Sequence, residues 1–135
     1  VYYKILSITS SGGTVAYVKP VGKKSKSITI AASTVLDGHT FKVVAVSAKA
    51  YKGCSKLQKV TIGKNITSIG KNAFAGCKKL KKITIKSTKL KSGAIGKNAF
   101  KGTAKNLVVK VSKKQYKAYK KFLKKKGNKK VKIKK

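Results

Sequence analysis

The sequence contains no arginine and no glutamate, and Asp37 is its only acidic residue. General acid and base catalysis ordinarily takes two positioned titratable groups. Here Asp37, His39, two cysteines and the lysines are the whole supply, so most enzyme mechanisms are excluded. No catalytic residue, cofactor, metal or small-molecule substrate is expected. Two cysteines are too few for a disulfide framework and too few for a structural zinc site. No stretch approaches the roughly 20 apolar residues that carry a helix across a bilayer. The opening VYYKILSITS lacks the layout of a signal peptide, and with no initial Met the chain reads as a domain of a larger protein.

What fills the gap is lysine. All 36 basic residues are Lys, giving a formal net charge of +35 on 135 residues. The 41% hydrophobic content still suffices for one core. A field this one-sided attracts polyanions, which makes teichoic acid, acidic glycans, DNA and anionic membrane surfaces the candidate partners. Arginine reads phosphate and carboxylate geometry with two parallel donors, whereas lysine acts as a hydrated point charge, so recognition is expected to be loose and to rest on avidity. Residues 1–50 hold 7 of the lysines and residues 51–135 hold 29. Solvated faces are normally charged, but a merely soluble surface mixes both signs. Going almost without acids lowers stability through self-repulsion, so the charge is read as a binding feature.

Residues 1–48 read as strands and turns. Tyr3 and Ile5, then Val15 and Tyr17, flank the turn-forming SSGG at 10–13. Pro20 and GKKSKS at 22–27 read as a surface loop. SITIAASTVL and HTFKVVAV flank Asp37-Gly38, and a two-residue Asp-Gly link between β-rich runs is a strong hairpin signal.

From residue 50 the chain repeats itself. AYKGCSKLQKVTI at 50–62 returns as AFAGCKKLKKITI at 73–85, an offset of 23, and in degenerate form as AFKGTAKNLVVKV at 99–111, an offset of 26. Upstream lie VSAKA at 46–50 and IGKNA at 69–73 and 95–99. Each unit is roughly I-G-K-N-A-F-x-G-C-x-x-L-x-x-I-T-I, and its aromatic, Leu and Val/Ile pair can be buried only by stacking on a neighbouring unit. KSTKLKSGA at 86–94 carries a three-residue insertion, and Leu107 sits one place late with Asn106 in the Leu slot, so the third coil should be irregular. In SKKQYKAYKKFLKKKG at 112–127, Tyr116, Tyr119, Phe122 and Leu123 have helical spacing, with Ser112 as N-cap and Gly127 as the stop. VKI at 131–133 is expected as a short closing strand.

The unit IGKNAFAGCKKLKKITI resembles the leucine-rich repeats of BspA-like bacterial surface proteins, directly from about residue 43 to 111. FKVVAV before the first repeat and the lysine-rich helix after the last resemble the ends of such domains. The resemblance implies an extracellular, modular protein associated with adhesion to host surface proteins, other bacteria or glycans. The expected fold is therefore β-rich α+β: a short leucine-rich-repeat solenoid (46–111) between an N-terminal β-hairpin cap (1–45) and a C-terminal helix with a closing strand (112–135), all one domain.

Cys54 and Cys77 share a repeat position, so neighbouring coils would hold them about 4.7 to 5 Å apart, within reach of a bridge. Thr103 fills the third slot without a cysteine partner, and a pair of buried thiols is expected rather than a disulfide. His39 reads as a polar turn residue. Asn72 and Asn98 recur in register and are expected to hydrogen-bond the backbone of neighbouring coils. The expected function is that of a non-enzymatic, secreted or surface-held interaction module binding anionic polymers electrostatically. The lysines expected to carry it are Lys78, Lys79, Lys81 and Lys82 in the repeats, with Lys113, Lys114, Lys117, Lys120, Lys121, Lys124, Lys125 and Lys126 in the terminal segment. The alternative is a sequence-nonspecific nucleic-acid-binding domain, with Tyr116 and Tyr119 placed to stack on bases.

Overall fold

The structure is a computed structural model describing residues 1–135, mostly strands with one short helix. β1 (Tyr2–Thr9) and β2 (Gly12–Lys19) pair antiparallel around Ser10-Ser11, as the turn chemistry predicts. β4 (Ser33–Leu36) and β5 (His39–Val46) form the second hairpin. Its turn residues Asp37 and Gly38 have φ of 47° and 76°, the left-handed pair that a type I′ turn requires, which accounts for the only acid in the chain. The run SITIAASTVL is not one arm of this hairpin. Its first half, β3 (Ser27–Ile30), enters a different sheet and pairs parallel with β6 (Lys59–Ile62), where Ile30 is fully buried.

Two sheets result. One has the order β1-β2-β5-β4, with the short β7 (Ser68–Ile69) pairing parallel with the far end of β5. The other is wholly parallel, in the order β10-β9-β8-β6-β3, and includes β8 (Lys82–Ile85), β9 (Val108–Lys110) and β10 (Lys132–Lys134). Parallel neighbours in exact sequence register place equivalent side chains one above another. Val60, Ile83, Val109 and Ile133 form one inward column and Ile30, Ile62 and Ile85 the next. Opposite the sheet, Tyr17, Tyr51, Phe74 and Phe100 stack face to face with centroids 5.3, 5.5 and 6.1 Å apart, within the range where aromatic pairs add to simple burial. The Tyr51 hydroxyl donates to that of Tyr17, so the polar ends of the two buried rings satisfy each other.

The corners between strands are held by backbone hydrogen bonds from coil to coil: Tyr51 to Ala73, Phe74 to Ala99, and Phe100 to Lys126, at 2.7, 2.8 and 2.9 Å from N to O. This close approach explains the glycines of the IGKNA motif. A Cβ on Gly70 would lie 2.3 Å from Ala48 N, and one on Gly96 would lie 2.3 Å from Lys71 N. The asparagines that follow have a different role from the one expected. Asn72 and Asn98 have φ of 56° and 58°, a left-handed conformation in which Asn is several-fold enriched, and their side chains do not bridge coils. Lys49 takes the same conformation, φ 60°, in the first unit.

The third coil is irregular, as its sequence predicts. The insertion forms a 3₁₀ turn at Ser92–Ala94 and buries Ser87 and Leu90, while Leu107 fills the core slot from its displaced position. The same insertion seats the helix, because Tyr119 is buried and its hydroxyl donates to Ser87 O at 2.7 Å. Ser112 caps a 3₁₀ turn by accepting from Gln115 N at 3.3 Å, and α1 (Tyr116–Leu123) follows. The helix ends four residues short of Gly127, because Lys125 N and Lys126 N turn back in the tighter i to i−3 pattern, freeing the Lys126 carbonyl for Phe100 N. Asn128 then donates to Thr103 Oγ1 and Ala104 O at 2.9 and 3.0 Å, fixing the approach to β10.

Cys54 and Cys77 are buried free thiols, and Cys77 Sγ donates to Tyr51 O at 3.1 Å. Burial raises both thiols, that of Cys77 to about 12, so they stay protonated at neutral pH and are poor nucleophiles. A thiol-reactive dye should therefore label neither until denaturant is added, and a native mass lacking two hydrogens would reveal a bridge instead. Phe74→Ala, which empties the middle of the aromatic column, should lose about 3 to 5 kcal/mol in urea unfolding. Val35→Ala, at a position 64% exposed, should change stability by less than about 0.5 kcal/mol. Equal effects would mean that the column is not a packed core.

Candidate functional site

Register decides which side chains leave the parallel sheet outward. Ser27, Lys59, Lys82, Val108 and Lys132 are mutual neighbours across the strands, and so are Thr29, Thr61, Thr84, Lys110 and Lys134. Both rows alternate with the buried Val/Ile columns, so they face solvent. Adjacent strands are about 4.8 Å apart, and the outer face sets lysines side by side at that spacing twice, Lys59 with Lys82 in the first row and Lys110 with Lys134 in the second. Lys59, Lys82, Lys110 and Lys134 contribute one lysine from each of four successive strands, with one sidestep of two residues between β8 and β9. These four, with Lys81, Lys135, Asn106 and Val108, line an open groove of about 530 Å³. Like charges directly opposite one another in a sheet repel. No acidic side chain lines the groove to offset this.

A second groove, of about 440 Å³, runs between α1 and the C-terminal segment and is lined by Tyr116, Lys120, Lys124, Lys129, Lys130, Lys132 and Lys134 among others. Lys134 borders both grooves, and Lys135, which lines the first, lies 5.5 Å from the Tyr116 ring centroid beside the second. The surface is thus continuous from the sheet to the helix. Of the lysines expected from sequence, Lys81 and Lys82 lie in the first groove, Lys79 sits with Lys81 and Gln58 at its edge, and Lys120 and Lys124 lie in the second. Lys78, Lys113, Lys114, Lys117, Lys121 and Lys125 are exposed but line neither groove, and Lys126 is half-buried.

Lys59, Lys110, Lys134 and Lys135 escape a reading based on runs of lysine, because each lies on a different strand or at the chain's end. The shared repeat position of Lys59 and Lys82 was the available signal. Tyr119 cannot stack on a base, since it is 1% exposed. Tyr116 is half-buried, and the ammonium groups of Lys120 and Lys135 each lie 5.5 Å from its ring centroid.

The remaining reactive groups do not converge. His39 Nδ1 lies 2.9 Å from Asp37 O in the exposed hairpin turn, a local contact of a turn residue. No cluster of three His, Cys, Asp or Glu side chains that could hold a metal is formed. No helix is long and apolar enough to cross a membrane. The large exposed apolar side chains, among them Ile5, Leu6, Ile8, Val21 and Val35, all lie within the first 35 residues, away from the lysine-lined grooves.

Comparison with known proteins adds a family to this geometry. Among solved structures, a leucine rich cell surface protein from Faecalibacterium prausnitzii A2-165 matches with TM-score 0.63 and 27% identity, over 79% of this chain and 28% of that one. A leucine-rich repeat protein from Bacteroides ovatus ATCC 8483 matches with TM-score 0.57 and 21% identity, over 83% of this chain and 36% of that one, and supports the fold. The chain spans roughly a third or less of the length of either. No curated protein matches it. Residues 38–135 match the model of the BspA type leucine rich repeat region in 6 copies, and the chain belongs to that family.

Proposed function

We propose that this chain is a non-enzymatic interaction module of a bacterial surface protein, which binds anionic polymers through its lysine-lined sheet face and the adjoining helix. The observation that carries the reading is the groove in which four successive strands each present a lysine, with no acid among its lining residues. Anionic wall polymers, acidic glycans and anionic lipid surfaces present the complementary charge. A place outside the cell fits the family and the similarity to the F. prausnitzii cell surface protein. In this reading the stacked coils form a short solenoid, and α1 serves as a cap over its last apolar layer, since its own Tyr119 and Leu123 are each 1% exposed. Inert thiols and the lack of a paired acid and base support a binding role over a catalytic one. The nucleic-acid reading is the weaker of the two, because one of its proposed stacking tyrosines is buried.

Lipoteichoic acid, heparin and duplex DNA should all bind, and neutral glycans should not. For DNA, where each neutralised phosphate releases counterions, six to ten contacts would weaken binding by roughly 10³ to 10⁵ between 50 and 200 mM salt. Replacing Lys120, Lys121, Lys124 and Lys125 by Gln should flatten that dependence while leaving the fold intact. Tight, salt-independent binding of a neutral glycan or of a defined protein would place the function elsewhere.

A further inference from the structure

Granting the anion-binding reading above, we infer that the sheet groove is a site for an acidic polysaccharide with an acidic group on each sugar, lying across the strands along the direction of stacking. The periodicity of the face is the first ground. Lys59 with Lys82, and Lys110 with Lys134, are direct neighbours at a strand spacing of about 4.8 Å, and the two pairs are offset by two residues along the strands. One pyranose ring in a linear chain advances by a comparable length, so successive carboxylates of a uronic acid polymer match the spacing within each pair, Lys59 with Lys82 and Lys110 with Lys134. A glycerol phosphate polymer separates its charges by a longer run of backbone bonds and falls out of step.

The rest of the groove is also suited to a sugar. Where the lysine path sidesteps between β8 and β9, the half-buried Val108 lines the groove and offers an apolar contact to the C–H face of a ring. Asn106 supplies an amide beside it, and Thr61 and Thr84 carry hydroxyls on the same outward face at the same strand spacing. A lysine is only a point charge, with none of the two-pronged geometry of arginine. Discrimination among anions must then come from the spacing of the lysines, which the parallel register fixes.

The test is calorimetric titration of the full chain with an oligogalacturonate long enough to cross all four strands. Its comparators are the fully methyl-esterified oligomer, a glycerol phosphate oligomer and single-stranded DNA, all at matched charge and constant ionic strength. The oligogalacturonate should bind at least about tenfold more tightly than either phosphate polymer, and the neutral ester should not bind. Replacing Lys59, Lys82, Lys110 and Lys134 by Gln should remove that advantage. Replacing Lys113, Lys117, Lys121 and Lys125 by Gln should lower all affinities alike and leave it in place. Circular dichroism of both variants checks that these exposed substitutions keep the fold. If all three polyanions bind equally, or if both variants lose the same affinity for each, the spacing rule is wrong and general polyanion binding stands. If no polyanion binds the unaltered protein, both readings fail together.

Discussion

A chain with one acidic side chain for 36 lysines cannot neutralise a cation in its interior. An ammonium left unpaired in the core costs several kcal/mol. Every lysine must therefore leave the fold outward, and the core must be assembled from neutral residues alone. The structure meets this condition: apart from tyrosines and cysteines, the only polar residues that are buried are Ser87 and Asn128, and both are hydrogen-bonded. One lysine ammonium finds an internal partner, Lys23 donating to Lys52 O at 3.3 Å. What holds the molecule together against its own charge is the registered stacking of identical positions, seen most plainly in the aromatic column from Tyr17 to Phe100.

The same register creates the lysine-lined face. A parallel sheet that aligns Val60, Ile83 and Val109 inside must also align Lys59, Lys82 and Val108 outside, one residue along. Core packing and charge spacing are therefore two faces of one constraint. Side-chain alternation also keeps them from interfering, since a substitution at an outward lysine leaves the buried columns untouched. The apolar exposure lies apart, among the first 35 residues, where the lysines are sparse.

Much of this was legible in the sequence because stacking leaves a period. The offset between Tyr51 and Phe74 gave the repeat, the Asp37-Gly38 pair gave a turn, and the shared slot of Cys54 and Cys77 gave a buried pair of thiols. The parts that stayed hidden depend on contacts between distant segments. Nothing local in SITIAASTVL shows that Ile30 and Ser33 belong to different sheets, because both halves have strand character. The insertion at 86–94 reads as an interruption, and only the contact between Tyr119 and Ser87 shows that it seats the helix. Asn72 and Asn98 were recognisable as special, but a left-handed backbone and a side-chain ladder leave the same trace in a sequence. Runs such as Lys78-Lys79 and Lys124-Lys125 draw attention to chain neighbours, whereas the groove is built from lysines on separate strands.

If the lysines are as uncompensated as the fold implies, stability must depend on screening from outside. Repulsion between exposed charges reaches about 30 Å at 0.01 M salt and about 10 Å at 0.1 M. The melting temperature measured in sodium chloride across that range therefore tests the central claim. It should rise steadily as salt is added. A midpoint that stayed level or fell would contradict it, and would mean that repulsion among the lysines does not limit the stability of the fold.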